Sequence, residues 1–225
     1  MVAFSYNAYG NALTINSGSG KAYIGGSVSN FSALTVNSTS AQSAIAGAIT
    51  GATALTKSGA GGVLALSGAN TYSGGTTVSA GTLQAGSATA FGSGAISVTS
   101  GSAIDLNGQT MTSTGGLTLN GTGVASGGAL VNASGTAGTY AGAVTVASDS
   151  SYGGTGPITF GSTVNSASLG AYSLSNASGA NGFVASNYNI SYVNGSLTVN
   201  PAQLGISASG VYTGSTLVAP IVSLF

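Results

Sequence analysis

Apolar and polar residues alternate along most of this 225-residue chain, in short runs separated by Gly, Ser and Asn. The runs 12–16, 22–26 and 33–37 each place apolar side chains at every second position. This period of two is typical of strands that bury one face. The Ala-rich stretch 41–55 also has a helical interpretation, but its Gly and Thr interruptions and missing caps favour strands. The pattern therefore predicts short strands joined by tight turns.

Between residues 55 and 165 the strand pattern repeats imperfectly. Val78 aligns with Val98, Val98 with Leu119, and Leu119 with Val146. Strand-like units that repeat about every 20 to 25 residues are typical of solenoids. Each unit has too little apolar surface to form a core alone, so stacked units are expected to bury one continuous apolar column.

Two further alignments extend the repeat. Gly81 aligns with Gly101, and the stretch 70–78 is echoed by 138–146. Within 55–83, the sequence predicts a corner at Tyr72 and Gly74, since Gly accepts the backbone angles of tight turns. The residues of this stretch predicted to point inward are Val63, Leu66, Val78 and Leu83.

The character of the chain changes near Ser166, where Gly becomes scarcer and Tyr more frequent. The stretch 186–202 is predicted to form a hairpin with Asn194 and Gly195 as its two-residue turn and Pro201 at its end. We therefore expect a β-solenoid over 1–165, a small hairpin-containing or sandwich-like β-rich module over 166–202, and the incomplete start of a further repeat over 203–225.

Charged residues make up only 2% of the chain, and the net charge is zero. Clustered Lys and Arg are the footprint of nucleic-acid binders and of polybasic membrane patches, so the composition argues against both. No apolar run approaches the roughly 18 residues of a transmembrane helix. The first residues lack the basic and apolar regions of a signal peptide, so we expect an export signal outside this sequence. The 43% of hydrophobic residues, in alternating groups, favours order over a low-complexity spacer.

The chemistry-bearing residue types are few. Without His or Cys, the chain has neither a Ser-His-Asp nor a Cys-His nucleophile and lacks the usual zinc ligands. Asp105 and Asp149 are the only carboxylate side chains for a glycosidase pair, and are interpreted as isolated solvated turn residues. The run 110–114 suggests an ice-binding Thr array, but a working array needs Thr on successive turns. We predict no catalytic, cofactor-binding or metal-binding residues.

Tyr72, Tyr140 and Tyr192 are the candidates for a binding surface, since exposed aromatic rings can stack on sugars. Aromatic residues also commonly cover turns and sheet faces in strands, which is the alternative interpretation.

The stretch 55–83, LTKSGAGGVLALSGANTYSGGTTVSAGTL, resembles the passenger-associated β-strand repeat of bacterial autotransporters. One extra residue at 61–62 departs from the repeat. The resemblance implies a right-handed parallel β-helix. The matching positions are Lys57, Gly59, Gly61, Leu64, Leu66, Gly68, Asn70, Thr71, Tyr72, Gly74, Thr77, Val78, Gly81 and Leu83.

A second stretch, 186–220, is similar to the tandem β-rich repeats of filamentous-haemagglutinin-like adhesins. Thr213 stands where many such units carry Asp. The matching positions are Tyr188, Ile190, Tyr192, Gly195, Leu197, Val199 and Pro201.

Together the two resemblances imply a non-enzymatic structural or adhesive segment of a secreted or surface-displayed Gram-negative exoprotein. Its export would follow the autotransporter or the two-partner route, with the outer-membrane transporter outside this sequence. The expected partners are host or surface glycans or proteins, or further copies of the chain. The alternatives are a glycan- or surface-binding module that uses exposed Tyr and Asn, and a low-complexity spacer.

Overall fold

A computed structural model describes residues 10–112 and 115–166. Over these residues the chain coils through about seven turns of a β-solenoid, and all the strand pairs are parallel. The predicted all-β parallel solenoid is therefore confirmed, while its hand stays a prediction. The described part contains no helix with the length and apolarity that a membrane span requires.

Three parallel sheets run along the coil, and the strands of each follow one another in chain order. The first sheet contains β1 Ala12–Gly18, β3 Ala33–Ser38, β5 Ala54–Ser58, β7 Thr76–Val78, β9 Ile96–Val98, β12 Leu117–Gly121, β15 Val144–Ser150 and β18 Val164–Ser166. The second contains β2 Tyr23–Ile24, β4 Ser43–Ile45, β6 Val63–Leu66, β8 Gly81–Ala85, β10 Ser102–Asp105, β13 Leu130–Asn132 and β16 Tyr152–Gly154. The third contains β11 Thr110–Met111, β14 Gly138–Tyr140 and β17 Ile158–Phe160.

The register of the first sheet sets the length of a turn. Leu13 pairs with Leu34, and Leu34 pairs with Leu55, so the first two steps are equal in length. The Ala-rich stretch 41–55 contains β4 and the first two residues of β5 and no helix, which confirms the preference for strands.

The strand register confirms the predicted alignment of the apolar residues in the later repeats. Val78 pairs with Val98, Val98 with Leu119, and Leu119 with Val146. The last of these steps is the longest, and it includes a short 3-10 turn at Val124–Ser126.

The predicted alignment of Gly81 with Gly101 is wrong by one residue, because Gly81 pairs with Ser102. Two residues separate β7 from β8, whereas three separate β9 from β10. The extra residue lies in the corner between two sheets, so it shifts the second sheet and leaves the first in register.

The apolar core is a column along the axis of the coil. In β6, Leu64 and Leu66 are buried, whereas Val63 is half-buried. The prediction that Val63 points inward is therefore wrong, because the two-residue period places it on the face opposite Leu64 and Leu66. Leu66, Val78 and Leu83 are buried as predicted.

Several predictions concern residues outside the described part of the chain. They are the hairpin at 186–202, the further repeat at 203–225 and the surface position of Tyr192. The module boundary near Ser166 stays a prediction.

Candidate functional site

Lys57 extends from β5 into the interior of the coil, where its side chain is fully buried. Its Nζ atom donates to the carbonyl oxygens of Ser58 at 2.6 Å, Gly59 at 2.9 Å, and Ser38 and Ala80 at 3.2 Å each. Ser38 precedes Lys57 by 19 residues and Ala80 follows it by 23, so these carbonyls belong to successive turns. One amine therefore ties three turns together at one corner.

This burial lowers the pKa of the Lys57 amine from 10.5 to about 8, because removal from water disfavours the charged form. At neutral pH the amine still carries its third proton most of the time. The four carbonyl oxygens satisfy it, which is the condition for a buried cation to be tolerated.

Glycines allow the backbone to close around this amine. A Cβ at Gly81 would lie 2.8 Å from Lys57 Nζ and 2.6 Å from the Gly59 oxygen, and would overlap the Gly62 oxygen. Gly81 also has a φ of 72°, in the left-handed region that favours glycine. The corner therefore requires glycine at position 81 for two independent reasons.

Asn70 joins three turns by its amide group, which is buried. Its Oδ1 accepts a hydrogen bond from the N–H of Ile49 at 2.8 Å, and its Nδ2 donates to the oxygen of Ala90 at 2.7 Å. These partners lie 21 residues before and 20 residues after Asn70. The side chain thus links its own turn to the preceding turn and to the following turn.

Tyr72 and Tyr140, the echoed tyrosines, are both fully buried. The Tyr72 hydroxyl lies 2.6 Å from the Thr76 hydroxyl, and the Tyr140 hydroxyl donates to the oxygen of Gly115 at 2.6 Å. The prediction that these two rings form an exposed sugar-stacking surface is therefore wrong, because both rings turn inward and find their polar partners in the coil.

Burial raises the pKa of both phenols, because the charged phenolate is disfavoured away from water. The pKa of Tyr140 is raised to about 12, and that of Tyr72 is raised further above its ordinary value.

Asp105 in β10 is buried, and its carboxylate accepts three hydrogen bonds. The donors are Gln84 Nε2 at 2.9 Å and the backbone N–H groups of Asn107 at 2.8 Å and Ala133 at 3.0 Å. The interpretation of Asp105 as a solvated turn carboxylate is therefore wrong. Asp149 is exposed and lies in β15 of a different sheet, so the register does not place the two carboxylates side by side.

Asn132 is a structural residue that the sequence analysis missed. Its Oδ1 accepts from the N–H of Gly108 at 2.8 Å, and its Nδ2 donates to the oxygens of Thr136 at 2.8 Å and Pro157 at 2.7 Å. Its signal in the sequence is weak, because Asn is common in the turns of this chain. Within the described ranges, no cluster of three or more His, Cys, Asp or Glu is suited to a metal ion.

A hollow of about 950 Å³ opens beside the first described turn. Its lining is mostly apolar and includes Leu13, Ile24, Val28 and Phe31. Val28 and Phe31 belong to the buried core, so the hollow continues the inner apolar column. The lining also includes the polar residues Ser17, Lys21 and Gln42.

The stretch 55–85 matches the family described as the passenger-associated-transport-repeat. This match confirms the resemblance of 55–83 to the autotransporter repeat, and it covers Lys57, Asn70, Tyr72 and Gly81. No curated protein and no solved structure matches the chain significantly. The repeat and the β-solenoid fit an autotransporter passenger domain. The resemblance of 186–220 to haemagglutinin-like repeats stays a prediction.

Proposed function

We propose that this chain is a non-enzymatic, structural and adhesive segment of an exoprotein that Gram-negative bacteria secrete or display at the cell surface. The observation that carries the proposal is the transport repeat at 55–85, whose buried polar residues hold successive turns together. The repeat favours export by the autotransporter route, which would use an outer-membrane transporter outside this sequence. The two-partner route is the variant that the haemagglutinin-like stretch 186–220 would favour.

The polar contacts of the coil support a structural role. The Lys57 amine, the Asn70 amide and the Asp105 carboxylate are each engaged by several partners within the coil. Groups used in this way hold the backbone in place and are not free for general acid–base or nucleophilic chemistry. At roughly 4.8 Å per turn, the first sheet spans on the order of 34 Å, a length that suits a structural spacer.

Surface display is tested with an antibody raised against the folded chain, applied to intact and to permeabilised cells of the producing bacterium. We expect labelling of intact cells that external protease removes, while a periplasmic marker stays unlabelled. Labelling that appears only after permeabilisation would contradict the proposal.

The adhesive role is tested by attachment of the same cells to surfaces coated with host glycans or proteins, and by cell–cell clumping. These assays cover the proposed partners, which are host or surface glycans or proteins and further copies of the chain. We expect a strain without the gene to attach or clump less, and the restored gene to recover the effect. Equal attachment and clumping of all strains would leave the spacer role and refute adhesion.

A further inference from the structure

One column of polar side chains, hydroxyls in all strands but the last, runs along the outer face of the first sheet. Thr14 pairs with Thr35, Thr35 with Thr56, and Thr56 with Thr77. The remaining members of the column, in order of pairing, are Ser97, Thr118, Thr145 and Asn165.

The column faces away from the core. Leu55 and Lys57, the neighbours of Thr56, are buried, and so are Thr76 and Val78, the neighbours of Thr77. Since successive side chains of a strand point to opposite faces, the Thr between them points outward. Over the described residues, the six Thr hydroxyls of the column have no protein hydrogen-bond partner. They are therefore available to a ligand or to water.

A second polar column lies two residues further along each strand. Asn16 pairs with Asn37, and Asn37 pairs with Ser58. On the next two turns, the Ser79 and Thr99 hydroxyls donate to carbonyl oxygens of the preceding turn, which fixes their position. Together the two columns form a grid with spacings of about 4.8 Å between strands and roughly 6.7 Å along them. We call this grid the threonine face.

The threonine face carries no charge and no aromatic ring. Lys57, in the same sheet, turns inward, and Asp149 lies beyond the two columns near the end of β15. An uncharged face gives no attraction to polyanions or polycations. It also lacks the aromatic rings that stack on flat ligands, since Tyr72 and Tyr140 are buried.

We propose that the threonine face binds ice. A ligand that contacts every rung must itself repeat at a similar spacing, and the surface lattice of ice is a neutral array of water with such a repeat. Each Thr offers a hydroxyl that can join this lattice and a methyl group that restricts the orientation of the first water shell. The inference is independent of the proposed export and adhesive role.

A working ice-binding array needs Thr on successive turns. The threonine face meets this requirement, whereas the run 110–114 does not contribute to it. Thr110 lies in β11 of the third sheet, and Thr112 follows that strand.

The test is partition of the purified, fluorescently labelled full chain into slowly growing ice, with serum albumin as the non-binding reference. We expect the chain to be enriched in the ice fraction and Thr77→Lys to lose this enrichment, because the lysine side chain holds the lattice away. The matched control is Thr82→Lys, on the outer face of the second sheet, which is expected to keep the enrichment.

Circular dichroism must show that each variant is folded. If Thr77→Lys is not folded, Thr14→Lys in the first strand provides the same test at an exposed position. Exclusion of the wild-type chain from ice to the same extent as albumin would overturn the proposal. So would an equal loss in the face and control variants. Sedimentation that shows copies joined through this face, without ice enrichment, would overturn it in favour of self-association.

Discussion

The amine of Lys57 lies 2.8 Å from the point where a Cβ at Gly81 would be, so these two residues share one corner of the coil. Gly81 follows Lys57 by one turn, and the carbonyl of Ala80, its neighbour, accepts a hydrogen bond from the amine. A side chain at position 81 would displace the amine or the backbone around it. Both residues lie within the matched repeat.

We expect Gly81→Ala to destabilise the chain more than Gly61→Ala. Both glycines have nearly the same positive φ, 72° and 71°, so both substitutions incur the left-handed cost of about 1–2 kcal/mol. A Cβ at Gly61 meets no atom within 4 Å, whereas one at Gly81 overlaps the backbone, which adds about 1–3 kcal/mol. Urea unfolding measures the difference, and equal losses of stability would contradict the crowding at Gly81.

Asn70→Ala tests the amide that joins three turns. The substitution leaves the Ile49 N–H and the Ala90 oxygen without this partner, and each unsatisfied buried group costs about 1–3 kcal/mol. The control is Asn37→Ala at an exposed position, where changes usually stay within about 0.5 kcal/mol. Thermal unfolding followed by circular dichroism should therefore show a clear drop in melting temperature for Asn70→Ala alone. A comparable drop for both variants would refute the bridging role.

The buried amine and phenols predict how stability depends on pH. Lys57 has a folded pKa of about 8, below its ordinary 10.5, so between these values the unfolded chain binds more protons. The free energy of unfolding therefore rises with pH over this window. Tyr72 and Tyr140 have raised pKa values in the folded chain. Their contribution to the free energy of unfolding is therefore fully present below pH 10.0 and is lost as the pH rises above it. The expected result is maximal stability at about pH 10.

Two variants distinguish the rise from the fall of the free energy of unfolding, measured by urea unfolding across about pH 7 to 12. Lys57→Met is expected to remove the rise, whatever its effect on stability at neutral pH, and Tyr140→Phe to make the alkaline fall shallower. The quantity to compare is the slope of the free energy of unfolding against pH, because only groups that titrate contribute to it. A rise that persists in Lys57→Met would show that another group causes it.

The alternation of side chains was sufficient to predict the solenoid and much of its register. The series Val78, Val98, Leu119 and Val146 could be aligned because each member is a large apolar residue that directly follows a Thr or Ser. Periodicity reports which residues share a face, and stacking then brings equivalent residues together. The alternation is a local property of each strand, so it can be recognised even where the turns differ in length.

Other features depend on contacts that the sequence does not mark. Tyr72 and Tyr140 are aromatic with a polar tip, and only their partners Thr76 and Gly115 explain why they are buried. The Asp105 carboxylate receives donors from residues 21 and 28 positions away. The Thr column begins with three equal steps, and only the strand register shows that it continues through the unequal steps from β7 to β9 and from β12 to β15.

The first two steps of the coil, Leu13 to Leu34 and Leu34 to Leu55, are equal in length. If the gene loses or duplicates the codons of one such step in this region, each following strand still pairs with a strand equivalent to its original neighbour. A loss that ends inside a strand and shifts the alternation by one residue would turn the apolar side chains of that strand outward. Unequal recombination within this region can therefore lengthen or shorten the coil by whole turns and leave its cross-section unchanged.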